Sequence, residues 1–543
     1  MNRNFILFFL LTVASYSVWG QDRYVAFFSD KEGTSYTVDA PLEFLTERSV
    51  TRRTNQGISI TEDDLPVNAA YVAAVESAGA AVFYTSRWMN AVMFQGTTEI
   101  RDAVAALDMV DSVWYIARGP VNDLDNPNAI PEPPYTVRKT MSTHLNADQN
   151  AMLGVDVMHA QGYHGEGMLI AIFDGGFEGA DTAAAFSNLI ENHLYHTFDF
   201  VGNRTYPFGY DDHGTRALST MAALGLRDGD TTYLGTAYEA DYILCVTEDV
   251  PVEYRVEEFN WLFAAELADS LGVDIIHTSL GYSDGFSDFS MSYTTEDMDG
   301  ETTIIARASQ FAVDRGILVV TSAGNSGSGS WGIVTSPADV PNVLAVGAIE
   351  DTGERASFSS RGPGGNILKP DVVALGVSVS LVNAAGIVTR ANGTSYSAPQ
   401  VAGMAAGLWQ AFPELTNLEL LNLLRAAGDQ ANQPDSLRGY GLPSFTMAQY
   451  LHVVSLSEPN VVELSVFPNP VKGNSLSISL TKEFQAQALD ITRYNTQGQE
   501  IFVTHIPVHD GLVSISTQDW PSGTYLLRIQ CEGTLGWARV VKP

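Results

Sequence analysis

The sequence predicts an α/β protein with a mostly parallel sheet sandwiched by helices, preceded by a small α+β unit and followed by a small β-sandwich. Unbroken apolar runs at residues 169–173, 316–321 and 343–347 end at polar or glycine-rich turns, and helix-like segments such as 256–270 separate them. Such runs are typical of parallel strands that are buried on both faces of a sheet. The segment before this block alternates strands with helices, and the segment after it has short strands separated by turns.

The chain has 543 residues, which is too long for one core, since most domains have about 100–200 residues. Its formal charge is −34, from 63 acidic and 29 basic side chains. This balance argues against a nucleic-acid-binding protein, because phosphate contacts need clustered Lys and Arg. It also argues against docking on an anionic membrane surface. An acidic surface instead favours solubility.

The first 20 residues are typical of a secretory signal peptide. Arg3 precedes an apolar run at residues 5–13 that is too short to span a bilayer, and small residues precede the expected cleavage point. A buried N-terminal helix is the alternative interpretation. No later run reaches about 18 apolar residues, so we expect no transmembrane anchor. Cys245 and Cys531 lie far apart, so we expect no disulfide between them and a buried Cys245.

Residues 21–118 predict a small α+β unit. The pattern indicates strands at 24–28, 81–84, 89–94 and 110–116 and helices at 69–77 and 100–107. Residues 119–139 are predicted to be a linker, because the stretch 123–135 within them holds four prolines. The α/β block follows at 140–452, and a second linker is expected at 453–462. Residues 463–543 have short alternating strands and turn signals such as Pro468-Asn469-Pro470, which favour a β-sandwich.

Four side chains in the α/β block could take part in catalysis. Asp174 ends a strand, where a carboxylate can orient an imidazole, and His213 begins a helix of small residues. Asn325 follows another strand, and Ser395 opens a helix whose backbone N–H groups could stabilise an oxyanion. Each alone has an ordinary structural interpretation: a strand-ending turn, a structural or exposed histidine, a turn asparagine and an N-cap serine.

Together, and in this order, the four segments are specific, because a serine nucleophile needs a base and that base needs an orienting acid. The motifs Asp174-Gly-Gly, His213-Gly-Thr, Ser-Ala-Gly-Asn325 and Gly-Thr-Ser395-x-Ser-x-Pro resemble those of the subtilases, the subtilisin family of serine peptidases. The resemblance implies that Asp174 is the acid, His213 the general base, Ser395 the nucleophile and Asn325 the oxyanion amide. It also implies substrate contacts from two segments that follow strands: Ser279, Leu280, Gly281, Ser322, Ala323 and Gly324.

Two positions depart from the family pattern. The usual Ser or Thr after the acid is Gly175, which removes a hydroxyl, and Arg216 stands where a second His is frequent. Neither position holds a reacting atom. The resemblance therefore implies a secreted serine endopeptidase, made as a zymogen, that hydrolyses peptide bonds in proteins through an acyl-enzyme. The alternative is a catalytically inactive surface binding protein on the subtilase fold, supported only by Gly175. A peptidase with Glu in place of the base is disfavoured by His213.

The flanking segments resemble known accessories of such enzymes. Residues 21–118 resemble a subtilase pro-domain, and 119–138 would contain the processing site. The tail, through Val466-Phe-Pro-Asn-Pro-Val471 and the segments 523–529 and 538–543, resembles the C-terminal sorting domain of the type IX secretion route of Bacteroidetes. A carbohydrate- or protein-binding sandwich is the alternative for the tail. The resemblance implies a secreted or cell-surface protein, exported through the periplasm of a Gram-negative bacterium, with protein or peptide substrates and the type IX machinery as partners. We expect a monomer.

We expect no cofactor requirement for catalysis and assign no catalytic metal ligand. One acidic loop could hold a structural Ca²⁺, because it is dense in hard oxygen ligands. A solvated acidic surface is the alternative interpretation. The acidic residues of this loop are Asp284, Asp288, Glu296, Asp297, Asp299 and Glu301.

Overall fold

The structure is a computed structural model, and it describes residues 21–119, 145–227, 230–364, 367–455, 462–479, 488–495, 500–507, 512–531 and 534–543. The predicted signal peptide and nearly all of the predicted 119–139 linker lie outside the described residues. The chain forms two compact units. Of the described residues, 21–35 and 66–119 belong to the first unit, and 36–65 belong with all later residues to the second.

Described residues 21–119 contain four strands and three α-helices. They are β1 (Asp22–Phe28), α1 (Glu47–Asn55), α2 (Ala69–Ser77), β2 (Ala81–Ser86), β3 (Ala91–Gly96), α3 (Thr98–Ala105) and β4 (Val110–Ala117). The strands form an antiparallel sheet in the order β2-β3-β1-β4, and its core includes Phe94, Val75 and Val104. The predicted elements are present within a few residues. Helix α1 was not predicted, and it belongs to the second unit.

The second unit contains the predicted α/β block. Its elements after residue 145 are α4 (Ala147–Met152), α5 (Val155–Ala160), β5 (Leu169–Asp174), β6 (Leu194–Asp199), α6 (His213–Ala222), β7 (Leu224–Arg227), β8 (Asp230–Leu234), β9 (Asp241–Val246), α7 (Val256–Leu271), β10 (Ile275–Thr278), α8 (Ile304–Asp314), β11 (Leu318–Ser322), β12 (Leu344–Ile349), β13 (Val372–Leu375), β14 (Val379–Val382), β15 (Val388–Ala391), α9 (Thr394–Ala411), α10 (Asn417–Ala426) and α11 (Phe445–Ser455). Seven strands form a parallel sheet in the order β13-β12-β11-β10-β5-β9-β6.

Helices cover both faces of this sheet. Ile170 and Ile172 of β5 lie in one core with Val401 of α9. Phe173 points to the other face, where its ring packs edge-on against Trp261 of α7 with the centroids 5.4 Å apart. Successive side chains of a strand point to opposite faces, so a sheet covered on both sides needs apolar residues at every position. The structure confirms the predicted fold class and explains the unbroken apolar runs.

The tail is a two-sheet sandwich. Its strands are β16 (Val462–Glu463), β17 (Ser465–Phe467), β18 (Ser475–Ser479), β19 (Ala488–Asn495), β20 (Glu500–Pro507), β21 (Leu512–Ser516), β22 (Gly523–Cys531) and β23 (Thr534–Lys542). One sheet has the order β16-β23-β22-β19-β20 and the other β17-β18-β21. Ile478 of the smaller sheet and Leu527 of the larger one share a core. The β-sandwich prediction is confirmed.

Cys245 lies buried in β9, as predicted. None of the helices in the described ranges is long and apolar enough to cross a membrane.

Candidate active site

The carboxyl ends of three adjacent strands bring several predicted residues to one edge of the sheet. Asp174 is the last residue of β5, the segment 279–281 follows β10, and the segment 322–325 begins at the end of β11. Strand β10 pairs in parallel with both β5 and β11. Parallel strands put their carboxyl ends at the same edge, so residues about 150 positions apart in the sequence become neighbours.

Asp174 and His213 are joined by a hydrogen bond. Nδ1 of His213 donates to Oδ1 of Asp174 over 2.8 Å, and the Gly175 backbone N–H donates to the same oxygen at 2.8 Å. Asp174 is fully buried, and its Oδ2 has no hydrogen-bond partner among the described residues. His213 is the first residue of α6, where its backbone N–H donates to Asp211. With Nδ1 protonated, Nε2 of the neutral imidazole is left to accept a proton.

The glycines around this pair are explained by close packing. A Cβ on Gly214 would lie 2.9 Å from the Asp174 Cβ, and a Cβ on Gly175 would meet Val250 at 2.6 Å and Oε2 of Glu248 at 3.1 Å. The space that a Ser or Thr side chain would need after Asp174 is therefore filled by these two residues. This arrangement gives a steric reason for the departure from the family pattern at Gly175.

The charges around His213 favour its protonated form. Burial acts to lower the pKa of His213, but the charge and hydrogen bond of Asp174 outweigh it, with Glu248 and Asp211 adding to the effect, and the pKa is raised to about 9. Burial, followed by the charge of Asp174, raises the pKa of Glu248 to about 7. Glu248 was not predicted from the sequence, because nothing near residue 248 indicates that β9 ends beside β5.

Asn325 contacts the residue before Ser395 at the start of α9. Ser395 is the second residue of that helix, is 7% exposed and follows Thr394. The Thr394 backbone N–H and hydroxyl both donate to Oδ1 of Asn325, at 2.9 and 3.0 Å. A backbone N–H can only donate, so the oxygen of the Asn325 amide must face Thr394 and its Nδ2 must point elsewhere. The Gly324 N–H in turn donates to the Thr394 hydroxyl at 3.2 Å.

The predicted substrate-binding residues lie at the same sheet edge but differ in exposure. Four are buried and two are more accessible. The buried ones are Ser279, Leu280, Ser322 and Ala323, and the others are Gly281 and Gly324. The Ser279 hydroxyl donates to the Ser395 carbonyl at 2.9 Å. That side chain therefore supports the residue at position 395, and contact with a substrate would fall to backbone groups and to the glycines.

A second residue missed by the sequence analysis is His277 in β10. Its Nε2 lies 3.0 Å from the Ser279 hydroxyl, and burial lowers its pKa to about 4. Because the hydroxyl donates to Ser395, it must accept from a protonated Nε2 of a neutral His277. This chain of hydrogen bonds supports the backbone at Ser395. A histidine inside a buried apolar strand, two positions before Ser279, was the available signal.

The acidic loop uses several of its carboxylates locally. Asp288 accepts from the Ser290 N–H, Asp297 from the Thr294 N–H, and Asp299 from the N–H groups of residues 301 and 302. Within the described part of the chain, no three His, Cys, Asp or Glu side chains are grouped in a way that could hold a metal ion. The calcium hypothesis stays a prediction.

Comparison with known proteins gives three family matches. Residues 165–442 match the subtilase family, which covers the segments of all four predicted catalytic residues. Residues 23–130 match a peptidase S8 propeptide domain of Bacteroidota, and residues 465–542 match a secretion system C-terminal sorting domain. The sorting domain and the propeptide indicate a protein that is secreted or located at the cell surface.

Two curated relatives agree with the subtilase match. Over 273 residues the chain is 32% identical to Subtilisin E of Bacillus subtilis, covering 50% of this chain and 62% of that protein. It is also 32% identical over 273 residues to Subtilisin of Bacillus pumilus, covering 50% of this chain and 86% of that one. The solved structure of MycP1 from Mycobacterium smegmatis is 20% identical with a TM-score of 0.45, covering 58% of this chain and 86% of that chain. The family match spans the sheet and the edge that holds the candidate catalytic residues, and the chain belongs to the subtilase family.

Proposed function

We propose that this protein is a serine endopeptidase made as a zymogen, with Asp174, His213 and Ser395 as its triad. The hydrogen bond from His213 Nδ1 to Asp174 at 2.8 Å carries the proposal, because it leaves Nε2 as the base. Ser395, near the N-terminus of α9, is the nucleophile. We propose that catalysis needs no cofactor, since the chain itself supplies the nucleophile, the general base and the orienting acid.

The proposed reaction has two halves. Nε2 of His213 takes the proton from the Ser395 hydroxyl as its oxygen attacks the peptide carbonyl carbon. The resulting oxyanion accepts hydrogen bonds from the Ser395 N–H and the Nδ2 of Asn325. His213 then gives its proton to the departing amine, which leaves an acyl-enzyme. Water, activated by the same imidazole, hydrolyses that ester and restores the Ser395 hydroxyl.

The proposal is tested by covalent labelling with a fluorophosphonate at varied pH. Ser395 reacts only when His213 is neutral, and the pKa of His213 is raised to about 9. We expect labelling at Ser395 whose rate rises with pH through a midpoint near 9. Well below that midpoint, the rate should fall about tenfold for each pH unit.

Glu248→Gln is the matched variant for this experiment. It removes a negative charge that raises the pKa of His213, so the midpoint of the labelling rate should move to lower pH. Labelling at another residue, or a complete lack of reaction in the processed protein, would contradict the proposal. The second result would favour an inactive binding protein.

Replacing Asn325 by Ala should lower kcat by about 10²–10³-fold, the magnitude known for the corresponding amide in subtilisin itself. KM should change little, because Nδ2 is proposed to bind the oxyanion of the transition state rather than the ground-state carbonyl. Steady-state hydrolysis of a peptide substrate measures both constants. The exposed Asn192 gives the control, since Asn192→Ala should leave both unchanged. A rise in KM at constant kcat would assign Asn325 to substrate binding.

We further propose protein or peptide substrates that bind along the edge formed by residues 279–281 and 322–324. Strands β10 and β11 end there, and glycines at 281 and 324 keep the backbone accessible for pairing with an extended substrate. We also propose that the β-sandwich at residues 465–542 is the part that the type IX secretion machinery recognises. Its match to a sorting domain supports this assignment.

A further inference from the structure

One segment inside the propeptide match packs with the second unit. Residues 36–65 fall within the 23–130 propeptide match, but they cluster with the residues of the parallel sheet. They contain α1, whose N-cap Thr46 donates its backbone N–H to the Ser270 carbonyl at the end of α7. We call residues 44–65 the anchor segment. Its contacts reach residues more than 200 positions away in the sequence.

Two buried arginines of the anchor segment meet a buried aspartate of α7. Arg52 donates to one oxygen of Asp269 at 2.6 Å, and Arg53 donates to the other at 2.7 Å. Arg53 also donates to Asp64 at 2.9 Å, and Asp64 accepts from Arg315 of the second unit at 2.8 Å. All five side chains are at least nine-tenths buried. The anchor segment and the residues that it packs against thus each contribute positive and negative charges to one cluster.

Polar contacts with the main chain surround this cluster. Gln56 donates to the Gly316 carbonyl at 2.8 Å and accepts from the Asn417 N–H at 2.9 Å. Arg48 donates to the Gly272 carbonyl and to Asp274. Gly272 has a φ of +86°, and a Cβ there would lie 2.7 Å from the backbone of the anchor segment. The surface at the end of α7 therefore fits closely against α1.

This surface lies at the sheet edge opposite the candidate active site. Gly167, Asp274 and Gly316 lie one or two positions before β5, β10 and β11, and Leu169 at the start of β5 donates its N–H to Asp274. Asp174, the segment 279–281 and Asn325 lie at the other, carboxyl ends of the same three strands. A six-residue strand is about 20 Å long, so an occupant of this edge does not block the catalytic edge.

We propose that the anchor segment is a binding element of the propeptide, which holds it to the α/β block at 140–452, here called the catalytic unit, after the chain between them has been cut. The inference concerns a binding surface remote from the active site and does not depend on the peptidase chemistry. Breaking a buried, hydrogen-bonded charge pair acts mainly on the dissociation rate. Cutting the connection alone should therefore leave a long-lived complex.

The test uses the full chain with Ser395→Ala, so that its own activity plays no part, and a recognition sequence for an unrelated specific protease placed within residues 120–138. After the cut, size-exclusion chromatography at low micromolar concentration should show the propeptide fragment eluting with the catalytic unit. The complex is prepared with a fluorescently labelled propeptide fragment and diluted into an excess of unlabelled fragment. The change of fluorescence with time then gives the dissociation rate of the labelled fragment.

Arg53→Ala should raise that rate by about 100-fold, because it takes one charged hydrogen-bond donor from each of the two buried carboxylates, Asp269 and Asp64. Asn55→Ala, an exposed position on the same helix, is the matched control and should leave the rate unchanged. If Arg53→Ala prevents folding, Gln56→Ala removes two hydrogen bonds without exposing a buried charge and should raise the rate by about tenfold. Separation of the parent fragment immediately after the cut, or equal rates in all three proteins, would overturn the proposal.

Discussion

Ser395→Ala is expected to lower kcat for hydrolysis of a casein-like substrate by about 10⁶-fold, the loss known when subtilisin itself loses its catalytic serine. The variant retains α9 and the hydrogen bonds that Thr394 makes with Asn325, because none of them uses the Ser395 hydroxyl. It should also lose labelling by fluorophosphonate. The measurement is initial hydrolysis rate on purified, processed protein, with processing carried out by an added protease.

Ser397→Ala is the matched control, since it lies in the same helix and its hydroxyl donates only to the Thr394 carbonyl among its described contacts. It should retain activity within a few-fold, because losing one such hydrogen bond affects stability more than chemistry. If Ser395→Ala protein still hydrolyses the substrate at more than a thousandth of the parent rate, another nucleophile must act and the proposed triad is wrong.

Asp174→Asn is expected to lower kcat by about 10⁴-fold with little change in the fold of the sheet edge. The carboxylate holds the proton on Nδ1 of His213 and stabilises the imidazolium that forms when Ser395 gives up its proton. An amide of the same shape supplies no negative charge. The pKa of His213 should also fall from about 9 towards its ordinary value, since Asp174 is the group that raises it most.

The pH dependence separates this role from simple damage to the structure. In the parent, the rate should rise through a midpoint near pH 9, and in Asp174→Asn the residual rate should reach its plateau at lower pH. Asp199→Asn is the control: Asp199 is also buried at a strand end, but it pairs with Arg204 and not with a histidine. An unchanged pH midpoint in Asp174→Asn would remove Asp174 from its proposed role.

The sequence predicted those helices and strands whose pattern of apolar residues is visible within the element itself. The strand at 169–174 has an apolar residue at every position before Asp174, and its burial on both faces explains that pattern. Helix α7 was predicted to begin at Val256, and it does. Helix α1, in contrast, has two arginines on its buried side, and an amphipathic pattern of apolar residues is absent there. Its partner charges lie on Asp269 and Arg315, which no local pattern connects to it.

The sequence by itself determined the parallel sheet, the two flanking small domains and the four candidate catalytic residues, because each depends on a run or motif of neighbouring residues. Only the tertiary structure decided which distant groups surround them. It brought Glu248 beside Gly175, linked His277 through Ser279 to the backbone of Ser395, and seated Arg53 against Asp269 at the opposite edge of the sheet. Buried charges and hydrogen bonds are satisfied across the fold, where the chain brings together partners whose separation in the sequence carries no signal.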